Sequence, residues 1–323
     1  MRATLALASL LAVATACGPQ QPPTPVPAAT SGAIDTARLF THVRALAHDS
    51  MRGRRTGTPD AERARRYVAD QFAGAGLQRF GDSWFSPFTW RGARDTTARH
   101  GVNVVGWLRG SERPDRYLVV TAHYDHEGVG APVNGDSIYN GADDDASGTA
   151  AVIELARWFA AHPPKTSVVF VAFDAEESAL RGARAFVDAP PVPLDSIVLN
   201  VNMDMIGHND RNELYAAGTW QYPQLKPLVA RVAATAPVRL LMGHDTPSDA
   251  GASNWVNASD HAPFHARGVP FLYFGVEDHA DYHKPSDEWS SMTPDFFARA
   301  AETVLAAVRL LDAEASAGTL PRR

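Results

Sequence analysis

Residues 146–178 read ASGTAAVIELARWFAAHPPKTSVVFVAFDAEES, and this stretch decides the fold. In its first half Val152, Leu155, Ala156 and Phe159 recur at helical spacing. Pro163-Pro164 stops that helix. Residues 167–173 (SVVFVAF) are then apolar without alternation, the pattern of a strand in a parallel sheet covered on both faces. Directly behind the strand come Asp174, Glu176 and Glu177. Acids at a strand end are costly unless paired, and strand ends are where an α/β fold gathers its chemistry.

The same arrangement recurs outward in both directions. Residues 117–122 (YLVVTA) predict a buried strand that runs into AHYDH at 122–126. His123 and Asp125, two apart in an extended segment, point the same way. Asp125 is thus placed to orient the His123 ring through its second N–H, as carboxylates behind metal-bound imidazoles do. His126 is spare in this reading and solvated. GADDDASG at 141–148 sets Asp143, Asp144 and Asp145 before the helix. One Asp suffices to cap a helix, and Asp145 is best placed for it. Three together repel one another unless a cation neutralises them, and Asp143 and Asp144 lie nearer the strand ends.

Residues 197–201 predict another buried strand, leading to Asn202-Met203-Asp204-Met205. Residues 269–274 (VPFLYF) predict a late strand before DYHKPSD at 281–287. There His283 is the ligand candidate, His279 competes with it, and Asp287 is a possible orienter of His283. Helices are expected over 35–48, 60–75 and 294–311, a strand over 100–108, and a basic Gly-containing loop over 51–59. Alternating strands and helices predict a three-layer αβα domain with a mostly parallel, twisted central sheet.

The chain has 323 residues, 45% of them hydrophobic, and a formal charge of −6. That supports a large core and leaves no basic footprint for nucleic acid. Residues 1–17 read as an export signal, because residues 4–16 are apolar but too short to span a membrane. Ala14-Thr15-Ala16 fits ordinary cleavage, whereas Cys17, the sole cysteine, fits a lipidated N-terminus with a cell-envelope location. Residues 18–32 are rich in Pro, Gln, Thr and Ala and read as an extended tether. Residues 33–323 are expected to form one domain.

Taken together, the motifs supply two His, several carboxylates and one further acid, the inventory of a two-ion hydrolytic site. His and carboxylate ligands without Cys suit zinc, with cobalt or manganese also fitting. From about Ala47 to Asp287 the chain resembles the M28 family of zinc aminopeptidases, in its secreted bacterial form. GRRTG at 53–57, GADDDASG, AEES and DYHKPSD carry the resemblance.

It implies a zinc-exopeptidase-like fold and two zinc ions bridged by Asp144. One ion takes His123 and Asp204, with Asp125 behind His123; the other takes Glu177 and His283. Glu176 is the implied general base, and the substrate a peptide with a free N-terminus bound by a monomer. The family often steadies the oxyanion with a Tyr near the Ser-Asp-His motif. None precedes Ser259-Asp260-His261 here, leaving Tyr282 or Tyr273 as substitutes. A serine triad is excluded, since contiguous residues cannot adopt its geometry. The main rival is a glutaminyl cyclase-like transferase on the same fold, which uses one zinc and tends to lack the first His. Trp220, Trp255 and Phe264 are equally candidates for a hydrophobic pocket or for the core.

Overall fold

The computed structural model describes residues 34–92 and 97–320, so the leader and tether expected at 1–32 lie outside the described residues, as does residue 33. Two helices open the chain, α1 (Thr36–Leu46) and α2 (Pro59–Ala75). Strands β1 (Phe85–Trp90), β2 (Arg99–Leu108) and β3 (Arg113–His123) follow, then a small hairpin of β4 (Gly128–Val133) and β5 (Asp136–Tyr139). Next come α3 (Gly148–Ala161), β6 (Thr166–Phe173), α4 (Arg181–Asp188) and β7 (Ile197–Met203). The chain closes with β8 (Glu213–Ala217), α5 (Lys226–Ala233), β9 (Arg239–Met242), α6 (His261–Ala266), β10 (Phe271–Gly275) and α7 (Pro294–Ala317).

Eight strands form one sheet in the order β1-β2-β6-β3-β7-β10-β8-β9. Its centre, β6-β3-β7-β10, is parallel throughout; β1 is antiparallel to β2, β2 to β6 and β8 to β10, while β9 runs parallel to β8. The continuous apolar run of β6 is explained by its two faces. Val168, Phe170 and Ala172 pack with residues of α1, α2, α3 and α7. Val169, Val171 and Phe173 pack with Phe186 of α4 and Phe264 of α6. This is the expected three-layer arrangement. Among the described residues no helix is long and apolar enough to cross a membrane.

Register places the chemistry. His123 pairs with Phe173, Thr121 with Asn202, and Phe274 with Met203. The residues just beyond these four strands therefore emerge along one rim of the sheet.

Two boundaries differ from expectation. The helix after β5 starts at Gly148, not residue 146, because residues 142–147 form an irregular turn with Asp144 and Asp145 in non-helical conformation. A Cβ at Gly148 would collide with the Asp145 carboxylate, so this helix must begin on glycine. Helix α7 runs on to Ala317, since Leu311 and Ala315 are buried, and ends where Gly318 turns left-handed at φ 75°.

Candidate metal centre

His123 is buried at the end of β3, with Nε2 3.2 Å from Asp144 Oδ1 and 3.5 Å from Asp204 Oδ1. His283, after β10, places its Nε2 3.0 Å from Asp144 Oδ2 and 3.4 Å from Glu177 Oε2. The two oxygens of Asp144 thus face imidazoles from opposite sides. Ligand atoms of His123, Asp144 and Asp204 lie within 4.8 Å of one another, as do those of His126, Asp144 and Glu177, and of Glu127, Glu177 and His283. Two ligand sets share Asp144, which is the donor pattern of a bridged pair of divalent ions.

The electrostatics fit such a pair. Burial alone would raise Asp144, but His126, His123 and His283 hold it well below the usual carboxylate range. Burial likewise opposes the low value of Glu177, which His126 and His283 bring to about 2. The imidazole of His283 is pushed up to about 10, against burial, by Asp144 and Glu177. His123 and His126 are raised in the same way by the carboxylates around them. The cluster calls for positive charge at its middle, which divalent ions supply. Glu176 differs: burial and the neighbouring Asp204, Asp260 and Glu177 push it well above its ordinary value, with only His123 opposing.

Residues 103–308 match the family model described as Peptidase family M28. The chain belongs to that family. Among its M28-type relatives, a probable zinc metalloprotease of Pyrenophora teres f. teres is 36% identical over 158 residues, 46% of this chain and 32% of that protein. Aminopeptidase YwaD of Bacillus subtilis is 31% identical over 226 residues, 66% of this chain and 45% of its own length. The chain thus spans less than half of either relative. Solved structures share the fold at low identity. An aminopeptidase from Aneurinibacillus sp. strain AM-1 has a TM-score of 0.69 at 16% identity, covering 85% of this chain and 93% of that one. Glutaminyl cyclase of Porphyromonas gingivalis has 0.70 at 18%, covering 88% and 100%.

Three assignments differ from those the sequence suggested for this M28 chain. His126 is not solvated: it is buried, with Nδ1 2.8 Å from Glu177 Oε1 and 3.6 Å from Asp144 Oδ2. Polarity alone left it outside because its strand had ended. Asp287 does not orient His283. Its carboxylate accepts the backbone N–H groups of Asp143 at 2.9 Å and Asp144 at 3.0 Å, so it holds the turn that carries Asp144 instead. Asp125 sits behind His123, but the ring's Nδ1 meets the Asp125 backbone carbonyl at 3.1 Å, with the carboxylate at 3.7 Å. That carboxylate accepts the Glu176 N–H at 3.0 Å and the Thr56 hydroxyl at 3.0 Å, tying two motifs together.

Of the three consecutive acids only Asp144 faces the ligand sets. Asp145 accepts the N–H groups of His123, Gly148 and Met205, joining β3, α3 and the end of β7. Asp143 accepts the Gly207 N–H at 2.6 Å. Arg54 comes from the basic loop, where the sequence reading favoured solvation. It is fully buried and donates to the carbonyls of Tyr124, Leu46, Asn140 and Gly141. The only hint was its place beside Gly53, which adopts φ 67° and where a Cβ would strike the Tyr139 carbonyl.

A cavity of about 330 Å³ opens on Glu176, Asp204 and His283, and Met205, Trp255 and Tyr282 form part of its wall. Tyr282 stacks on His283 with centroids 3.9 Å apart. Tyr273 is committed, donating its hydroxyl to the Asp204 carbonyl at 3.2 Å. Trp220 is half exposed and Phe264 belongs to the core, so only Trp255 of the three apolar candidates lines this cavity. Ser259 accepts from Asn202 Nδ2 at 2.9 Å, and His261 Nε2 meets the Trp255 carbonyl at 2.7 Å, so Ser259 and His261 of the Ser-Asp-His triplet brace the wall.

Proposed function

We propose that the chain is a co-catalytic two-zinc aminopeptidase that removes N-terminal residues from peptides. The observation that carries this reading is Asp144, one carboxylate facing His123 on one oxygen and His283 on the other, with Glu176 beside it. His123, Asp144 and Asp204 would hold one ion, and Asp144, Glu177 and His283 the other, with His126 against the same carboxylates. Ions bound there would supply Lewis-acid polarisation of the scissile carbonyl and a lowered pKa of water. Glu176, raised by burial and by Asp204, accepts the attacking water's proton and delivers it to the leaving amine. The cavity beside Trp255 and Tyr282 receives the first side chain. Tyr282 is the free-standing candidate to donate to the carbonyl oxygen, since Tyr273 is bonded elsewhere. The reading extends to location: residues 1–17 direct export, and lipidation of Cys17 ties the enzyme to the cell envelope.

The test is hydrolysis of aminoacyl-p-nitroanilides and their N-acetylated forms by the zinc-loaded protein. Only free-amine substrates should be cleaved. Glu176→Gln should lose about 10²–10⁴-fold in rate while zinc content is unchanged. Cleavage of blocked substrates, or cyclisation of N-terminal glutamine without hydrolysis, would overturn the proposal.

A further inference from the structure

A fourth set of ligand-type side chains shares no residue with the three around Asp144 and Glu177. His208 stands on the loop leaving β7, and His279 and Asp281 on the loop leaving β10. One ligand atom from each of the three comes within 4.8 Å of the others. The rings of His208 and His279 lie 4.1 Å apart between centroids.

The hydrogen bonds around them prepare the cluster for a cation. His279 Nε2 meets Asp143 Oδ2 at 3.1 Å, while His279 Nδ1 receives the Asp281 backbone N–H at 3.3 Å. Nδ1 therefore carries the lone pair while Nε2–H is held by a carboxylate, and an ion at Nδ1 would displace the long Asp281 N–H contact. This is the carboxylate–histidine pairing that orients metal-bound imidazoles. His208 Nδ1 is buried with no hydrogen-bond partner among the described residues. An orphaned buried nitrogen is costly, and a simple His279–Asp143 bond gives no reason for it. Asp281 takes the Ser286 hydroxyl on Oδ1 at 2.7 Å, which fixes the carboxylate and leaves its other oxygen free of that bond.

We infer that His208, His279 and Asp281 form an auxiliary divalent-cation site, separate from the Asp144-bridged pair. Two imidazoles and one carboxylate select zinc, with cobalt next. Ligand atoms around a tetrahedral zinc lie about 3.4 Å apart, so the cluster closes on an ion through small side-chain rotations. Three protein ligands leave a position for water, and the half-buried side chains leave the ion exchangeable. An ion there clips the loop after β7 to the loop that presents His283. It also reaches the bridging residue's neighbour, Asp143, through His279. The site does not depend on how many ions the Asp144 centre holds.

The full chain, stripped with a chelator, is titrated with zinc, and bound metal is counted after gel filtration. Wild type should take up one equivalent more than His208→Phe, which keeps an aromatic ring against His279 and removes the nitrogens. Asp281→Asn should lose or weaken the same equivalent by more than tenfold. Glu177→Ala should retain it while losing a different one, so each equivalent is assigned by the variant that abolishes it. The last equivalent should raise the melting temperature of wild type and leave that of His208→Phe unmoved. Equal stoichiometry in wild type, His208→Phe and Asp281→Asn would overturn the inference without touching the two-ion reading. If His208→Phe fails to melt cooperatively in chelator, Asp281→Asn alone decides.

Discussion

At the scale of single residues, His126 shows where sequence patterning stops. His123 was legible because it ends an apolar run, and side chains at a strand end can be assigned a direction. His126 lies beyond the strand, where alternation no longer applies, and only the folded turn swings its ring under Glu177. On the proposed two-ion reading, His126→Ala should weaken one ion about 10–100-fold and leave the ion at His123 and Asp204 nearly unchanged. Stepwise zinc affinities would separate the two. Among the three adjacent acids, sequence alone could not say which faces inward. Asp287 supplies the answer, because a carboxylate accepting two successive N–H groups fixes the turn that aims Asp144.

Elements were legible wherever burial is periodic, as in β6 and α3, and poorly so where side chains hold backbone. The loop of residues 51–59 reads as solvated because it is basic, yet Arg54 has no exposure at all. Its planar fork spans carbonyls from three segments, which one ammonium cannot do. Arg54→Lys should destabilise the domain by at least about 2 kcal/mol, seen as a lower denaturant midpoint, because buried carbonyls lose their donors.

A second tie joins α1 to α3. Glu154, nearly fully buried, accepts from Arg38 at 2.8 and 2.9 Å and meets His42 at 3.1 Å. Burial would raise its carboxyl, but His42 and Arg38 outweigh that and hold it below its ordinary value. A carboxylate lowered in the folded state adds stability above the unfolded pKa, near 4.3, and loses it as pH falls through the folded value. Glu154→Gln should therefore cost about 1–3 kcal/mol at pH 7. The gap to wild type should shrink as pH drops below about 4, checked by urea unfolding at several pH values.

For the whole molecule, the alternation of strands and helices was enough to read the layers and the parallel centre. The antiparallel flanks were not legible, since apolar runs carry no direction. The same packing that builds the sheet gathers Asp144, Glu177 and Asp204 around Glu176, and burial pushes Asp204 and Glu176 above their ordinary values. Ions binding only the folded state should add about 4 kcal/mol each at free zinc near a thousand times the dissociation constant. Chelation should lower the calorimetric melting temperature, and zinc should restore it.

The sheet's two outermost strands carry a different lesson. On one side β1 (FSPFTW) has Pro87 at its middle, and on the other β9 is four residues long and begins with Arg239. Proline offers no N–H to a newcomer, and a short, charged strand is a poor template for one. Crowded neighbours, as in a concentrated preparation, thus find little at either rim to extend into a fibre.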